Sequence, residues 1–398
     1  MNPEKLRKDF PSLKKGIIYF DNACMTLRPK QVIEAICSYY NEFPSCPGRS
    51  LHSFGNKATE EMEKARKKIS NFIGAKSEKE IVFTRNATEA INLVSKGMYF
   101  KKKKTVVISD REHNSNLVPW QQLQKQGIKL KIVPSKENEE FDLNAFRKEM
   151  DSSVRLVSIV HTSNIDGYTL PAKEIIKTAH DFGALVLLDG AQSAAHLPIK
   201  VKKLDCDFFA FSAHKMLGPS GMGCLYGKSE LLKEIKPLVS GGNTVANTTY
   251  KKTRFLEPPE KFEAGLPDIA GTIGFGSACN YLEKIGMKKI EKHEKKLNFS
   301  LQKGLEGIEK ISLTGVINAK KRTGITSFNL KGLDSHDIAI LLDESKKIAV
   351  RSGMHCAHSW FNARKIPGCV RASLYLYNTK EEVQIFLDEL IKIANCLE

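Results

Sequence analysis

From about residue 80 to 226 the chain alternates short apolar runs with amphipathic stretches of helical period. "EIVFT" at 80–84 predicts a strand, and "ATEAINLVSKG" predicts a helix ending at Gly97. Strands follow at "TVVIS" (105–109), "LKIVP" (130–134) and "RLVSIV" (155–160). "PAKEIIKTAHDFG" opens on a proline and stops at Gly183, as a helix should, and "ALVLLD", "CDFFAFS" and "GCLYG" complete the strand series. Strands apolar on both faces and separated by helices define a mostly parallel α/β sheet. Past about residue 275 the pattern changes. Lysine-rich helices at 277–309 lead to "ITSFNL" (325–330), a helix at 334–345, "IAVRSG", "VRASLYLY" and a last helix from Lys380, a smaller α+β unit. The expected division is an N-terminal segment (1–17) packing with the small unit, a large domain (18–276) and a small C-terminal domain (277–398).

Ligands of such sheets bind at the carboxyl ends of the strands, so the polar residues there come first. "EIVFT" is followed by Asn86, Ala87 and Thr88, a helix start whose free N–H groups suit a phosphate, or simply a helix cap. His113 follows "TVVIS", and His161 and Asn164 follow "RLVSIV". "ALVLL" ends in Asp189 with Gln192 just beyond, and "FFAF" ends in Ser212, His214 and Lys215 before the turn "GPSGMG". One such residue says little; a succession of them defines a site. A lysine amine forms a Schiff base with an aldehyde, and a buried carboxylate keeps a pyridinium nitrogen protonated. With a phosphate-binding helix start, that set meets the requirements of pyridoxal 5'-phosphate (PLP). Nucleotide motifs are absent: Met222 stands where GxxxxGK[ST] needs its first glycine, and "GFG" at 274–276 lies in a helical stretch.

Composition narrows the class further. The 398 residues, 41% hydrophobic and 27% charged, suit a large globular core. The first residues carry charges throughout, and no run reaches about 18 apolar residues, so a cytoplasmic protein with no membrane partner is expected. Nine cysteines without a CxxC pair argue against a disulfide scaffold or zinc ribbon. The net charge of +17 comes mostly from dispersed lysines with no interleaved aromatics, which favours solvated faces over nucleic acid.

In "VRSGMHCAHSW" (350–360), Cys356 lies between two histidines. Alone it reads as a buried small hydrophobe, a metal ligand or a nucleophile; a closed zinc site would need four ligands, and no CxxC or HxxxH pair supports one. The flanking glycine, arginine and histidines suit an exposed loop.

The stretches "IYFDNA" (18–23), "FTRNATEAINLV", "REHNSNLVPWQ", "HTSN", "LDGAQS", "DCDFFAFSAHKMLGPSGMGCLYG", "KFEAG", "VRSGMHCA" and "VRASLYLYNT" run in family order from residue 18 to 379. On them the chain resembles the fold-type I PLP enzymes of the class V aminotransferase family, and among these the group II (Suf-type) cysteine desulfurases and selenocysteine lyases. The resemblance implies a homodimer whose large domain holds a seven-stranded, mostly parallel sheet between helices. It makes Lys215 the cofactor's Schiff-base lysine and proton carrier, stacks His113 on the ring and pairs Asp189 with the ring nitrogen. Asn164 and Gln192 then face the substrate and the phenolic oxygen, while Ala87, Thr88, Ser212 and His214 hold the phosphate. Arg371 takes the substrate carboxylate as a bidentate fork, with Ala23, Arg49 and His52 also on the substrate side. Cys356 accepts sulfur from L-cysteine (or L-selenocysteine) as a persulfide and passes it to an acceptor protein for iron–sulfur or thio-cofactor synthesis. Positive charge that lowers the thiol's pKa is expected from Arg351 and His355. This sequence departs from the family pattern at Gly48, at Leu266, where a threonine often reaches the partner's phosphate, at Met354, and at Cys24 in place of a small alanine. Rival readings are another class V lyase or aminotransferase and a cofactor-free basic binding protein on the same fold.

Overall fold

The structure, a computed structural model, describes residues 1–396. Seven strands form the central sheet: β1 (Ile81–Thr84), β2 (Thr105–Ser109), β3 (Lys129–Val133), β4 (Val154–Val160), β5 (Leu185–Asp189), β6 (Phe208–Ser212) and β7 (Gly223–Gly227). Their order is β1-β7-β6-β5-β4-β2-β3. Only β7 runs antiparallel to its neighbours, so the mostly parallel sheet expected from the apolar runs is what forms. Residues of β2, β5 and β6 are buried on both faces, which is why these segments read as continuous rather than alternating hydrophobics.

Two helices position the site. Helix α1 (Ala87–Gly97) follows β1 and is capped by Asn86, whose Oδ1 accepts from the Glu89 amide at 2.9 Å. Helix α2 (Asn114–Gln124) follows β2 and is capped by His113, whose Nδ1 accepts from the Ser115 amide at 3.0 Å. Gly223 in β7 lies so close to the turn before α1 that a Cβ there would stand 2.5 Å from the Cα of Asn86. Glu263, in "KFEAG", forms a buried two-point pair with Arg66 at 2.7 and 2.8 Å and accepts from the Phe83 amide, tying this region to β1.

Helix α3 (Ile269–Ile285) packs on the helices at Lys30–Glu42 and Ser53–Ile73. It runs straight through residue 276, where the sequence suggested a domain boundary, and the next helix, α4 (Met287–Glu306), begins only after Gly286. The C-terminal part carries a four-stranded antiparallel sheet of β8 (Ile311–Thr314), β9 (Ile325–Leu330), β10 (Arg351–Gly353) and β11 (Cys369–Ser373), ordered β8-β9-β11-β10. Helix α5 (Lys380–Asn395) closes the chain's described part behind a capping box built on Thr379 and Glu382. The N-terminal segment reaches this part, since Arg7 donates to the Tyr377 carbonyl and to Glu382. Ile18–Tyr19 also pairs in parallel with Ile348–Ala349. Among the described residues, no helix is long and apolar enough to cross a membrane.

Candidate active site

The carboxyl ends of β1, β2, β4, β5 and β6 converge on one cavity of about 240 Å³, closed on its other side by the turn at Ala23–Cys24 and by Arg351, His355, Cys356 and Arg371. Ala87, Thr88, His113, Asn164, Asp189, Gln192, Ser212, His214 and Lys215 all line it. The strand-end residues singled out from sequence are therefore brought together, with the exception of His161. That side chain turns into the core, where it is buried and its Nδ1 pairs with the Ser193 hydroxyl at 2.9 Å. Thr162, its neighbour but one position on, faces the cavity instead. Ser115 and Cys24 also line the cavity without having been picked out as site residues; Ser115 could have been found from its place two residues after His113 at a helix start.

Asp189 ends the central strand β5, paired with Val160 on one side and Ala210 on the other. Burial raises its carboxyl pKa, while the Ala191 amide, donating to its Oδ1 at 3.0 Å, and the Lys215 charge pull the other way. Burial lowers the Lys215 amine, with Asp189 opposing, so the neutral nucleophilic form of this lysine is favoured relative to one in water. His113 is pulled down to about 3 by burial and then by the nearby Lys215 and Arg371 charges. It is an uncharged flat ring at neutral pH. His214 is likewise lowered to about 4, chiefly by burial.

At the head of α1, the Ala87 amide donates to the Ser212 hydroxyl at 2.8 Å and Thr88 shares a hydrogen bond with Ser115 at 2.7 Å. Four buried polar atoms of lining residues lack any partner: Asn164 Oδ1, Gln192 Oε1, His355 Nδ1 and Arg371 Nε. Orphaned polar groups carry a desolvation cost of about 1–3 kcal/mol each, which a bound polar ligand would remove. A carboxylate at a strand end, an amine favoured neutral, an uncharged ring, hydroxyls at a helix start and unfilled donors and acceptors suit PLP together with an amino acid.

The Cys356 loop is held by its backbone. Asn164 Nδ2 donates to the His355 carbonyl at 2.7 Å, and the Asn114 amide donates to the Cys356 carbonyl at 2.7 Å. Both His355 (φ 49°) and Cys356 (φ 57°) occupy the left-handed region, at a cost of about 1–2 kcal/mol each for residues bearing a Cβ. The thiol is exposed, which removes the buried-hydrophobe reading. Among the described residues, no group of three or more His, Cys, Asp or Glu is placed to hold a metal ion. His358, for which the sequence offered no role, pairs through Nδ1 with Asn114 Nδ2 at 2.9 Å and so braces the same loop.

Of the two residues expected to bring positive charge near Cys356, His355 is corrected, and Arg351 lines the same cavity but contacts another thiol. His355 is buried, its Nε2 lies 3.2 Å from both the carbonyl and the sulfur of Cys369, and burial followed by the Arg371 charge lowers its pKa to about 2. It carries no charge. Arg351 places its Nη1 3.2 Å from the sulfur of Cys24, not of Cys356, and 3.8 Å from Asp21. Two further expected residues stand outside the cavity of this chain. Arg49 lines a separate cavity with Gly242, Asn243 and Leu266, and His52 caps the Ser53–Ile73 helix, its ring accepting from the Gly55 amide.

The buried histidines predict a pH effect on stability. His113, His161, His214 and His355 have folded pKa values of about 3, 4, 4 and 2, against an ordinary value of 6.5. The unfolded chain therefore binds more protons below pH about 6.5, and the stability these neutral rings provide is lost progressively as pH falls from there toward 4. Glu112, raised to about 7 mainly by burial, acts in the opposite direction, as do Asp21, Asp189 and Glu294, whose carboxyls burial also raises, while carboxylates lowered by hydrogen-bonded partners, among them Asp151, Glu306 and Glu389, add to the loss on acidification. Thermal melts between pH 7.5 and 4 should show a net fall in Tm on acidification; a rise would contradict the assignment of neutral buried rings.

The fold and site define a class V aminotransferase: the family description "Aminotransferase class-V" matches residues 18–386, and the chain belongs to that family. It is 42% identical to a probable cysteine desulfurase of Pyrococcus abyssi over 98% of both chains. It is also 42% identical to a probable cysteine desulfurase of Synechocystis over 97% of this chain and 94% of the relative. An apo structure of a cysteine desulfurase from Thermococcus onnurineus superposes with a TM-score of 0.95 at 40% identity, covering 100% of this chain and 99% of that one.

Proposed function

We propose that the protein is a PLP-dependent cysteine desulfurase that converts L-cysteine to L-alanine and takes the sulfur onto Cys356. The observation that carries this reading is one cavity holding Lys215, Arg371 and an exposed loop cysteine together. When bound, PLP withdraws electrons from the substrate Cα and so weakens the bonds around it.

The chain's own groups supply the rest. Asp189 would hold the proton on the ring nitrogen, in a buried site that keeps that pair away from water. His113, uncharged, would lie against the ring. Thr88, Ser212, His214 and the helix start at Ala87 would receive the phosphate, and Gln192 would stand near the phenolic oxygen, its Oε1 able only to accept. Lys215 carries the proton from the substrate Cα. Arg371 is fixed by donating to the Asn164 carbonyl at 3.0 Å and by Asp21 at 3.6 Å, leaving Nε and a second N–H of the guanidinium as a fork for a substrate carboxylate. Asn164 is bound to the loop carbonyl through its amide nitrogen, so it meets the substrate through Oδ1 only. The Cys356 thiolate then attacks the substrate sulfur, giving a persulfide and releasing alanine.

A homodimer gives Arg49 and His52 their place. Arg49 borders a cavity separate from the site together with Leu266, which is 71% exposed, Leu51 between Arg49 and His52 is 91% exposed, and a second copy seated there would bring them toward the partner's pocket. Nine unpaired cysteines suit a reducing, cytoplasmic setting and delivery of the sulfur to an acceptor protein for iron–sulfur or thio-cofactor synthesis.

The test is alanine release from L-cysteine by the PLP-loaded protein; absence of alanine would refute the reading. Within it, Arg371→Lys should raise KM for L-cysteine by about 10-fold or more, because lysine cannot reproduce the bidentate fork, with a smaller effect on kcat. An unchanged KM would remove Arg371 from substrate binding.

A further inference from the structure

Cys356 is not the only thiol facing the cavity. Cys24 lines the same space, and its sulfur is the one that Arg351 contacts, at 3.2 Å. Its turn is pinned. The Ala23 amide donates to the Ser373 hydroxyl at 2.9 Å, Gln192 Nε2 donates to the Ala23 carbonyl at 2.8 Å, and Asn22 Nδ2 donates to the Ser373 carbonyl at 2.6 Å. The same Gln192 leaves Oε1 buried and unpartnered, and Arg371 leaves Nε so, with both residues lining the cavity. This side of the cavity is thus made to face a polar ligand. The Lys215 amine, governed first by burial and then by Asp189 and Arg371, feels both thiols, Cys24 ahead of Cys356. Both cysteines therefore line the one cavity that also holds Lys215 and Arg371.

We propose that Cys24 is a second sulfur-accepting thiol, which takes the terminal sulfur from the Cys356 persulfide within the same cavity. This rests on the desulfurase reading above. In the step, the Cys24 sulfur attacks the outer sulfur of the Cys356 persulfide. A new S–S bond forms on Cys24, the S–S bond on Cys356 breaks, and the Cys356 sulfur leaves as a thiolate that receives the proton Cys24 gives up. One disulfide-type bond replaces another, so no oxidant or reductant is consumed. The Arg351 guanidinium, which donates to the Cys24 sulfur, is placed to hold the resulting anionic persulfide. Cys356 is then free to attack a second substrate, and each chain stores a second sulfur atom.

The experiment uses the full-length, PLP-loaded protein. After exposure to L-cysteine, persulfides are capped with an alkylating agent and the protein is digested with trypsin. Cleavage leaves each thiol alone in its peptide, Gly16–Lys30 for Cys24 and Ser352–Arg364 for Cys356. An added sulfur is expected on both peptides in the wild type and on neither in Cys356→Ser. Cys24→Ala should keep it on the Cys356 peptide, and cyanolysis should then find only the first sulfane sulfur per chain. Exposed Cys37 serves as the control for sulfur picked up from free sulfide. Sulfur on Cys356 with none on Cys24 would overturn the inference and leave the desulfurase reading standing. Equal sulfur on Cys37 and Cys24, or sulfur persisting on Cys24 in Cys356→Ser, would also overturn it. No sulfur on either peptide, with no alanine formed, would instead remove the desulfurase reading itself.

Discussion

Lys215→Ala should reduce alanine formation from L-cysteine by at least about 10²–10⁴-fold, the range contributed by a single positioned proton-transfer group, and should abolish the visible absorbance of the lysine-linked cofactor. The reason lies in the site's electrostatics. Burial lowers the Lys215 amine while Asp189, at the end of the central strand, remains the nearest countercharge. An alanine there supplies neither the nucleophile for the aldehyde nor the base for the Cα proton. Absorbance spectra of the protein before and after borohydride, wild type beside variant, check the first half, and alanine assays check the second. A colourless wild type that PLP cannot reconstitute would favour the cofactor-free binding protein, whose RNA retention would weaken steeply with salt. Wild-type turnover in Lys215→Ala would move the catalytic amine elsewhere.

Cys356→Ser should eliminate the enzyme-bound persulfide and lower desulfuration of L-cysteine by at least about 100-fold, a modest share of what an oriented intramolecular nucleophile can contribute. A serine hydroxyl is a far poorer nucleophile toward sulfur, yet it fits the same loop. The bonds that hold this loop run from Asn164 and Asn114 to backbone carbonyls at 355 and 356, so the substitution leaves them in place. The variant should therefore keep its fold and its cofactor spectrum while losing the persulfide. Alanine and persulfide measured together decide the matter: equal alanine production by wild type and Cys356→Ser would point to selenocysteine or another amino acid as the substrate.

Much of the fold was legible because its signal is local. A strand buried on both faces is mostly apolar, so "TVVIS" marks its strand to the residue. Asp189 and Lys215 stood out because a charge directly at the end of such a run is costly unless used. Other features depend on partners far away in sequence. His161 and Thr162 are neighbours at one strand end, and packing of the ring against Ser193 decides that Thr162 faces the cavity. The continuous helix across residue 276 follows from packing on two N-terminal helices rather than from a change of composition at that point.

The same division holds for the chemistry. Residue types and their order alone determined that this chain carries an α/β sheet with a lysine and a carboxylate after its strands and a cysteine in a polar loop, because apolar periodicity and strand-end polarity are written in consecutive residues. Only the tertiary structure decided which charge reaches which thiol. His355 is buried against Cys369 and neutral, Arg351 turns to Cys24, and Arg49 lies at another cavity. Coulomb forces and desolvation depend on distances of a few ångströms between segments more than 300 residues apart, and no run of neighbouring residues encodes those distances.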